Sequence, residues 1–218
     1  MIMLALDTSG NTGSVALASL GKIICEFKVN NTMTHSQTLM PLVEQAFLVS
    51  GIKKSEVNMI ACSVGPGSFT GLRIGAAVAK GLALGLGCKI VPVSSLEILT
   101  YNIYYKNTVV PIMDARRNQV YAAIYENGKC RHQPMVCDIS HLLALLPSSA
   151  IFLGDGVYAY QEELVSAGHF IAPPHLLLQS AASLAMLAFT KIDDAVDVKH
   201  FDLTYIRQSQ AERELQCK

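Results

Sequence analysis

The chain has 218 residues, of which 51% are hydrophobic, so it can bury a sizeable core as one large domain or as two small lobes. Its 17 basic and 17 acidic residues cancel, which argues against a strong electrostatic attraction of the whole chain for nucleic acid or an anionic membrane. Six cysteines without a Cys-x-x-Cys pair indicate reduced thiols rather than a disulfide scaffold.

The amino-terminal segment is predicted to form three strands. An apolar strand over Ile2 to Leu6 ends at Asp7, and further strands are predicted over Ser14 to Ser19 and Ile23 to Val29. Because no basic leader with an apolar run and a cleavage site precedes the first strand, we expect a cytoplasmic protein rather than a secreted one.

Two helix patterns follow in the first half of the chain. The first ends before Gly51, a residue suited to a helix C-terminal cap. The second, Leu72 to Leu86, lies between predicted strands over Met59 to Val64 and Ile90 to Val93, and it is too short and too often interrupted by charged residues to span a membrane. The apolar face of the first helix consists of Leu39, Leu42, Val43, Ala46 and Phe47.

A glycine-rich loop precedes the second helix. Residues Gly65 to Gly75 read GPGSFTGLRIG. Glycine lets the backbone approach a ligand or a neighbouring segment closely, and the start of a helix offers free N–H groups, which is the geometry of an anion or nucleotide site. Many strand-to-helix turns use these residue types only to bend. The spacing matches neither a dinucleotide fingerprint nor a P-loop.

Small residues recur along the second helix. Gly71, Gly75 and Ala79 follow each other at four-residue spacing, although each glycine costs about 1 kcal/mol of helix stability relative to alanine. Such a flat face lets another segment come close. From the residues alone the neighbour is either the helix over Thr38 to Val49 or a second subunit.

The second half of the chain repeats the plan of the first. Val109 to Met113 ends at Asp114, and two further strands, Val120 to Tyr125 and Lys129 to Val136, are joined by the hairpin signal Asn127-Gly128. Each half therefore begins with a three-strand meander whose first strand ends in aspartate. The remaining predicted elements are helices over Ile139 to Leu146, Tyr158 to Ala167 and Ala181 to Thr190, and a strand over Ile151 to Leu153 that Gly154-Asp155-Gly156 closes.

This repeat resembles the actin, sugar-kinase and heat-shock-protein (ASKHA) superfamily. The resemblance implies an α/β fold of duplicated ββαβα-type lobes, residues 1–105 and a reduced second lobe over 106–218, with the last segment packing back on the first lobe or forming a loose tail. Members of the superfamily bind a nucleotide between the lobes, whereas an aspartate at a strand end can also merely cap a turn. The nucleotide site implied here, a vestigial one, comprises Asp7, Thr8, Ser9, Asp114, Arg116, Gly154, Asp155 and Gly156.

The motifs resemble more specifically the TsaB family, also called YeaZ, over nearly the whole chain. That family is a bacterial subunit of the machinery that installs N6-threonylcarbamoyladenosine (t6A) beside the anticodon of transfer RNAs, and it is a paralogue of the catalytic subunit TsaD and of glycoprotease-like proteins. Leu203 stands where the family usually has proline. The motifs that carry the resemblance are Leu4 to Ser9, His35-Ser36, Gly65 to Gly75, Asp114 to Arg117 with Val120-Tyr121, Gly154 to Gly156, and Tyr205-Ile206-Arg207.

The segment after the second helix differs from TsaD. The catalytic family carries Val-Asn-His-Leu-Glu-Gly-His there, and its two histidines bind metal, whereas this chain has Ser95 and Leu99 at those positions. We therefore expect no metal and no catalytic residue on this chain. Ser94 and Glu97 predict a capping box for the helix that begins there.

Two residues keep alternative roles. His35 is either a catalytic base or a helix-start residue that bonds nearby backbone, and no nucleophile or carboxylate partner for it is identifiable in the sequence. Arg73 either reaches an anion or simply lies at a helix start.

The resemblance implies a non-catalytic subunit that binds and supports TsaD. It implies a TsaE-like ATPase as a further partner, a homodimer when TsaD is absent, and tRNA contact only through the complex, for tRNAs that read codons beginning with A. No cofactor is implied on this chain, and ATP or ADP would bind weakly or only in the complex. The implied interface, expected to be exposed in the isolated monomer, comprises Leu39, Leu42, Val43, Gly71, Leu72, Gly75, Ala76, Ala79 and Leu82.

The alternative is an independent enzyme. An ATPase or kinase of the same superfamily would use Asp7 and Asp114 to organise magnesium and phosphates. A peptidase ranks last, because no nucleophile–base pair or metal pair is visible in the sequence.

Overall fold

The computed structural model describes residues 1–31, 33–103 and 108–207. Two five-stranded mixed sheets form the two lobes. Their strand orders, β3-β2-β1-β4-β5 and β8-β7-β6-β9-β10, are the same plan used twice, so the predicted duplication is confirmed.

The elements of the first half lie close to their predicted ranges. They are β1 (Ile2–Asp7), β2 (Gly13–Ser19), β3 (Lys22–Val29), α1 (His35–Ser50), β4 (Val57–Gly65), α2 (Phe69–Leu86), β5 (Lys89–Ser94) and α3 (Ser95–Thr100).

The second half adds one short strand that the sequence pattern did not predict. Its elements are β6 (Thr108–Asp114), β7 (Val120–Glu126), β8 (Lys129–Cys137), α4 (Ile139–Ala144), β9 (Ala150–Leu153), α5 (Val157–Ser166), the unpredicted β10 (Phe170–Ile171) and α6 (Ala181–Phe189).

Turn chemistry fixes the ends of several elements as predicted. Gly51 adopts the left-handed conformation, φ 71°, and its N–H donates to the Phe47 carbonyl at the end of α1. Asn127 and Gly128 both have positive φ, 50° and 75°, which suits the tight hairpin between β7 and β8. The predicted capping box of α3 is wrong: the hydroxyl of Ser94 has no hydrogen-bond partner among the described residues, and Glu97 instead pairs with Lys191 at 2.9 Å.

The first sheet is covered on both faces. Helices α1 and α2 pack on one face, and α6 packs on the other against β1, β2 and β4. The predicted boundary at residue 106 therefore misplaces α6, which follows the second sheet in the chain but belongs to the core of the first lobe. Phe201 is also buried in that core. The predicted polar end of the chain lies outside the described residues from position 208 onward.

The small-residue face of α2 packs inside the monomer. A Cβ atom on Gly71 would collide with the Thr8 carbonyl oxygen, and one on Gly75 would collide with the Thr8 hydroxyl. Ala79 is fully buried. The nearest neighbour of Gly71 and Gly75 is thus the end of β1, and α1 packs against Ala76, Ala79 and Ala83 of the same face, as one of the two predicted alternatives had it.

Helix α2 is longer than its predicted range. It begins at Phe69 because the Ser68 side chain caps it by accepting from the Gly71 N–H. With 18 residues and a mean hydropathy of 1.3 it passes a length-and-composition test for a membrane span, because three residues precede the predicted start at Leu72. A core helix passes the same test, and six residues of α2 are buried in the lobe.

Candidate functional site

A cleft lies between the two lobes. Its cavity of about 820 Å³ is bounded by the β1–β2 turn, the glycine-rich loop, the β6–β7 turn, the start of α5 and the segment Thr204 to Arg207. We call this last segment the C-terminal strap. The duplicated topology places the two turns opposite each other, because each turn follows the first strand of its sheet.

The β6–β7 turn presents two arginines in an unusual backbone conformation. Arg116, Arg117 and Asn118 all have positive φ, 62°, 57° and 58°, which costs roughly 1 kcal/mol or more for each non-glycine residue. The turn is held by Asp114, whose carboxylate accepts from the Arg116 N–H at 2.7 Å and pairs with its guanidinium at 3.3 Å. The Arg116 side chain remains 84% exposed.

Asp155 joins the same turn to the start of α5. Its carboxylate accepts from the Asp114 N–H at 3.2 Å, and burial raises its pKa. Gly154 and Gly156, which flank it, press against the Ile112 backbone and do not line the cleft. Of this predicted loop only Asp155 therefore reaches the cavity.

Asp7 points away from the cleft. It is fully buried, and one carboxylate oxygen accepts from the Ser9 N–H, the Ser9 hydroxyl and the Ser63 hydroxyl at 2.9, 2.7 and 3.0 Å. Its other oxygen has no partner among the described residues. Burial raises its pKa more than these hydrogen bonds lower it.

Two of the residues predicted for the nucleotide site thus lie outside the cleft. Asp7 and Thr8 do not line the cavity, whereas Ser9 does. The hydroxyl of Thr8 donates instead to the Gly71 carbonyl at 2.8 Å. The predicted site residues that do line the cleft are Ser9, Asp114, Arg116 and Asp155.

The C-terminal strap ties the two lobes together across the cleft. Thr204 donates its N–H to the Val64 carbonyl at 2.8 Å, in the first lobe. Arg207 donates to the Ala115 carbonyl at 2.8 Å, in the second lobe. The Tyr-Ile-Arg motif at residues 205–207 was not among the residues predicted for the site.

Tyr205 of the strap forms an aromatic and cationic stack with two residues of α2. The rings of Tyr205 and Phe69 are 4.9 Å apart, the Arg73 guanidinium lies 3.8 Å from the Phe69 ring centre, and its Nε donates to the Tyr205 hydroxyl at 3.2 Å. No role was predicted for Phe69, although it lies inside the glycine-rich loop. Arg73 therefore faces the cleft.

The positions that correspond to the TsaD metal ligands lie in the core. Ser95 and Leu99 are both fully buried. Within residues 1–31, 33–103 and 108–207, no group of three or more His, Cys, Asp or Glu side chains could hold a metal ion. The His35 Nε2 lies 2.8 Å from the Gly10 carbonyl oxygen, which accords with the structural role considered for it.

The predicted partner interface is largely buried, contrary to the expectation that it is exposed. Only Leu42 and Leu82 are partly accessible, and the others face the core, with Leu39, Val43 and Leu72 each 1% exposed. The accessible apolar residues lie on the outer sides of the same two helices. We call them the outer helical surface: Met40, Leu48 and Val49 on α1 and Leu84 on α2.

Comparisons with known proteins agree with this architecture. The family model described as TsaD, tRNA N6-adenosine threonylcarbamoyltransferase, matches residues 30–161. The tRNA threonylcarbamoyladenosine biosynthesis protein TsaB of Bacillus subtilis is 32% identical over 97% of this chain and 96% of its own length.

Solved structures show the same fold. A Pseudomonas aeruginosa protein with similarity to the peptidase YeaZ has a TM-score of 0.79 at 27% identity, covering 94% of this chain and 99% of its own. The polyphosphate/ATP-glucomannokinase of Arthrobacter sp. strain KM shares the fold alone, with a TM-score of 0.50 at 12% identity over 87% of this chain and 97% of its own. The fold class is therefore the actin-like and sugar-kinase class. The chain belongs to the TsaB (YeaZ) family, whose role is the biosynthesis of threonylcarbamoyladenosine in tRNA.

Proposed function

We propose that this chain is a non-catalytic subunit that binds and supports a TsaD-type catalytic subunit. In this role it works in the cytoplasm and promotes transfer of a threonylcarbamoyl group to N6 of the adenosine beside the anticodon, in tRNAs that read codons beginning with A. A TsaE-type ATPase completes the assembly. When the TsaD-type subunit is absent, two copies of this chain pair through the surface that otherwise binds that subunit.

The observation that carries this proposal is the outer helical surface. Leu48 is 74% exposed, Val49 65% and Leu84 70%. Exposed large apolar side chains on two adjacent helices favour a protein partner, because burying them removes apolar area from water. The small residues of α2 support this surface from within by fixing the helix against β1.

The cleft supports a further part of the proposal, namely weak binding of ATP or ADP that strengthens only in the complex. A magnesium nucleotide needs carboxylates that face its phosphates. Asp7 is turned inward, and Asp114 is engaged by Arg116. An independent ATPase or kinase, the alternative function, would need the carboxylates of Asp7 and Asp114 to hold its metal ion.

A pair of substitutions tests partner binding. Leu84→Arg places a charge on the outer helical surface and should abolish co-elution with a TsaD-type subunit in size-exclusion chromatography, while the melting temperature stays unchanged. Leu20→Arg is the matched control, because Leu20 is 73% exposed in the β2–β3 turn, and it should co-elute like the unmodified chain. Unchanged co-elution of Leu84→Arg would remove the support for this surface.

Activity assays separate the two candidate functions. Threonylcarbamoylation of tRNA should require the TsaD-type subunit together with this chain. Sustained hydrolysis of magnesium ATP by this chain alone, and its loss in Asp114→Asn, would instead favour the independent enzyme.

A further inference from the structure

The charge of this neutral chain is unevenly distributed. Four arginines but only two aspartates line the cleft between the lobes, whereas the basic and acidic residues of the whole chain cancel. A cleft between low-dielectric walls concentrates such a local excess. The cleft is therefore electropositive although the protein is not. The four arginines are Arg73, Arg116, Arg117 and Arg207.

The two acidic side chains are already engaged within the protein. Asp114 pairs with Arg116, and Asp155 accepts the Asp114 N–H. Within the described residues no carboxylate lies within 4.0 Å of the guanidinium nitrogens of Arg73, Arg117 or Arg207. Arg73 and Arg207 donate only to neutral groups, the Tyr205 hydroxyl and the Ala115 carbonyl, so none of the three positive charges is neutralised by a described carboxylate.

Aromatic rings accompany the arginines along the cleft. Phe69 and Tyr205 form the stacked pair, and Tyr158 on α5 is 61% exposed. The start of α2 also faces the cavity through Ser68 and Thr70, and its helix dipole favours negative charge there. Positive charge that follows a backbone, together with exposed aromatic faces, is the combination that binds single-stranded nucleic acid.

We propose that this cleft binds single-stranded RNA directly, with the arginines on phosphates and a base stacked on the aromatic rings. The proposal rests on the proposed function in tRNA modification and extends it, since this subunit then contacts the substrate itself. RNA fits the cleft better than free nucleotide for two reasons. The two described carboxylates of the cleft already interact with protein groups, Asp114 with Arg116 and Asp155 with the Asp114 N–H, and Arg116 is exposed at the rim rather than enclosed.

The strained turn gives this proposal a clean test. Arg117 has φ 57°, and asparagine tolerates positive φ better than most residues. Arg117→Asn therefore removes the charge without adding strain. Arg131→Asn is the matched control, because Arg131 is an exposed arginine outside the cleft, paired with Glu126 at 2.9 Å.

The experiment measures fluorescence anisotropy of a labelled ten-nucleotide single-stranded RNA, with the full chain alone and with its TsaD-type complex. Arg117→Asn and Arg73→Gln should each weaken binding at least fivefold, and each should reduce the slope of log affinity against log salt by about 0.7. Arg117→Lys should restore much of the affinity, and Arg131→Asn should bind as the unmodified chain does. Melting temperatures confirm that each variant is folded.

Two outcomes would overturn the proposal. One is equal RNA affinity of Arg117→Asn, Arg73→Gln and the unmodified protein, both alone and in the complex. The other is displacement of the RNA from the chain alone by micromolar magnesium ATP, which would assign the cleft of the isolated chain to a free nucleotide. Because Leu84→Arg tests partner binding on another face, loss of the RNA proposal with intact co-elution would leave the proposed function standing.

Discussion

The Thr8 hydroxyl donates to the Gly71 carbonyl at 2.8 Å, so the end of the central strand β1 is bonded directly to the first turn of α2. This contact requires the helix backbone to lie against the strand without an intervening side chain. The small residues of α2 therefore serve an internal junction, and the outer side of the helix is left free for a partner.

Substitution of the small residues tests this junction. Gly75→Ala should destabilise the protein by about 1–3 kcal/mol, because its Cβ would collide with the Thr8 hydroxyl. Gly81→Ala, on the exposed side of the same helix with nothing within 4 Å of its Cβ, should stabilise it by about 1 kcal/mol. Urea unfolding measures both free energies, and equal effects at the two positions would contradict this account.

A charge on the buried, small-residue face of α2 should affect folding rather than assembly. Ala79 is fully buried, so Ala79→Arg should lower the free energy of unfolding by about 3 kcal/mol or more, since it leaves an unpaired charge in the core. Thermal unfolding of the isolated chain measures this. A folded Ala79→Arg protein of normal stability would show that this face is accessible after all.

The buried carboxylate predicts a specific pH dependence. Burial raises the folded-state pKa of Asp7 above its ordinary value of 3.8, so the folded state holds this proton more tightly than the unfolded state. The contribution of Asp7 to stability therefore falls as pH rises from about 3.8 through the raised pKa, and it levels off above it.

Asp7→Asn provides the comparison for that titration. The amide oxygen of asparagine, with its two lone pairs, can still accept hydrogen bonds from Ser9 and Ser63. The difference in unfolding free energy between the two proteins, followed by urea unfolding from pH 4 to pH 8, should shift in favour of the variant as pH rises. A pH-independent difference would mean that Asp7 does not titrate in this window.

Two substitutions of Tyr205 in the C-terminal strap should lower the free energy of unfolding by different amounts. Tyr205→Phe removes the hydroxyl that accepts from Arg73 but keeps the ring on Phe69, and it should cost about 1 kcal/mol or less. Tyr205→Ala removes the stacked ring as well and should cost about 1 kcal/mol more. Urea unfolding ranks the two variants, and a Phe variant as unstable as the Ala variant would assign the role to the hydroxyl alone.

Local patterns in the sequence were sufficient to predict the duplicated meanders and most strands. The alternation of side chains between the two faces of β1 also indicates the direction of the Asp7 side chain. Met3, Ala5 and Asp7 share one face of a strand that is buried on both sides, so Asp7 follows its neighbours into the core. An aspartate that ends a strand looks the same in sequence whether it faces a cleft or the interior.

Other features depend on long-range packing that local pattern does not encode. The small residues of α2 suit a strand end as well as a partner helix, because either neighbour needs only a flat face. Helix α6 is apolar on nearly every side, which predicts burial but not the sheet that it covers. The positive charge of the cleft arises because Arg73, Arg117 and Arg207, far apart in sequence, meet at one cavity.

The return of α6 to the first sheet has a consequence for synthesis on the ribosome. Residues 181–189 cover most of one face of a sheet whose strands lie in the first 94 residues, with Ile98 of α3 packed beside them, so that face is not fully covered until residue 189 has emerged. The second sheet, encoded between these two parts, can be completed earlier. The amino-terminal lobe begins first and finishes last, and a polypeptide interrupted before residue 181 would expose Met3, Ala5 and Val91 to the solvent.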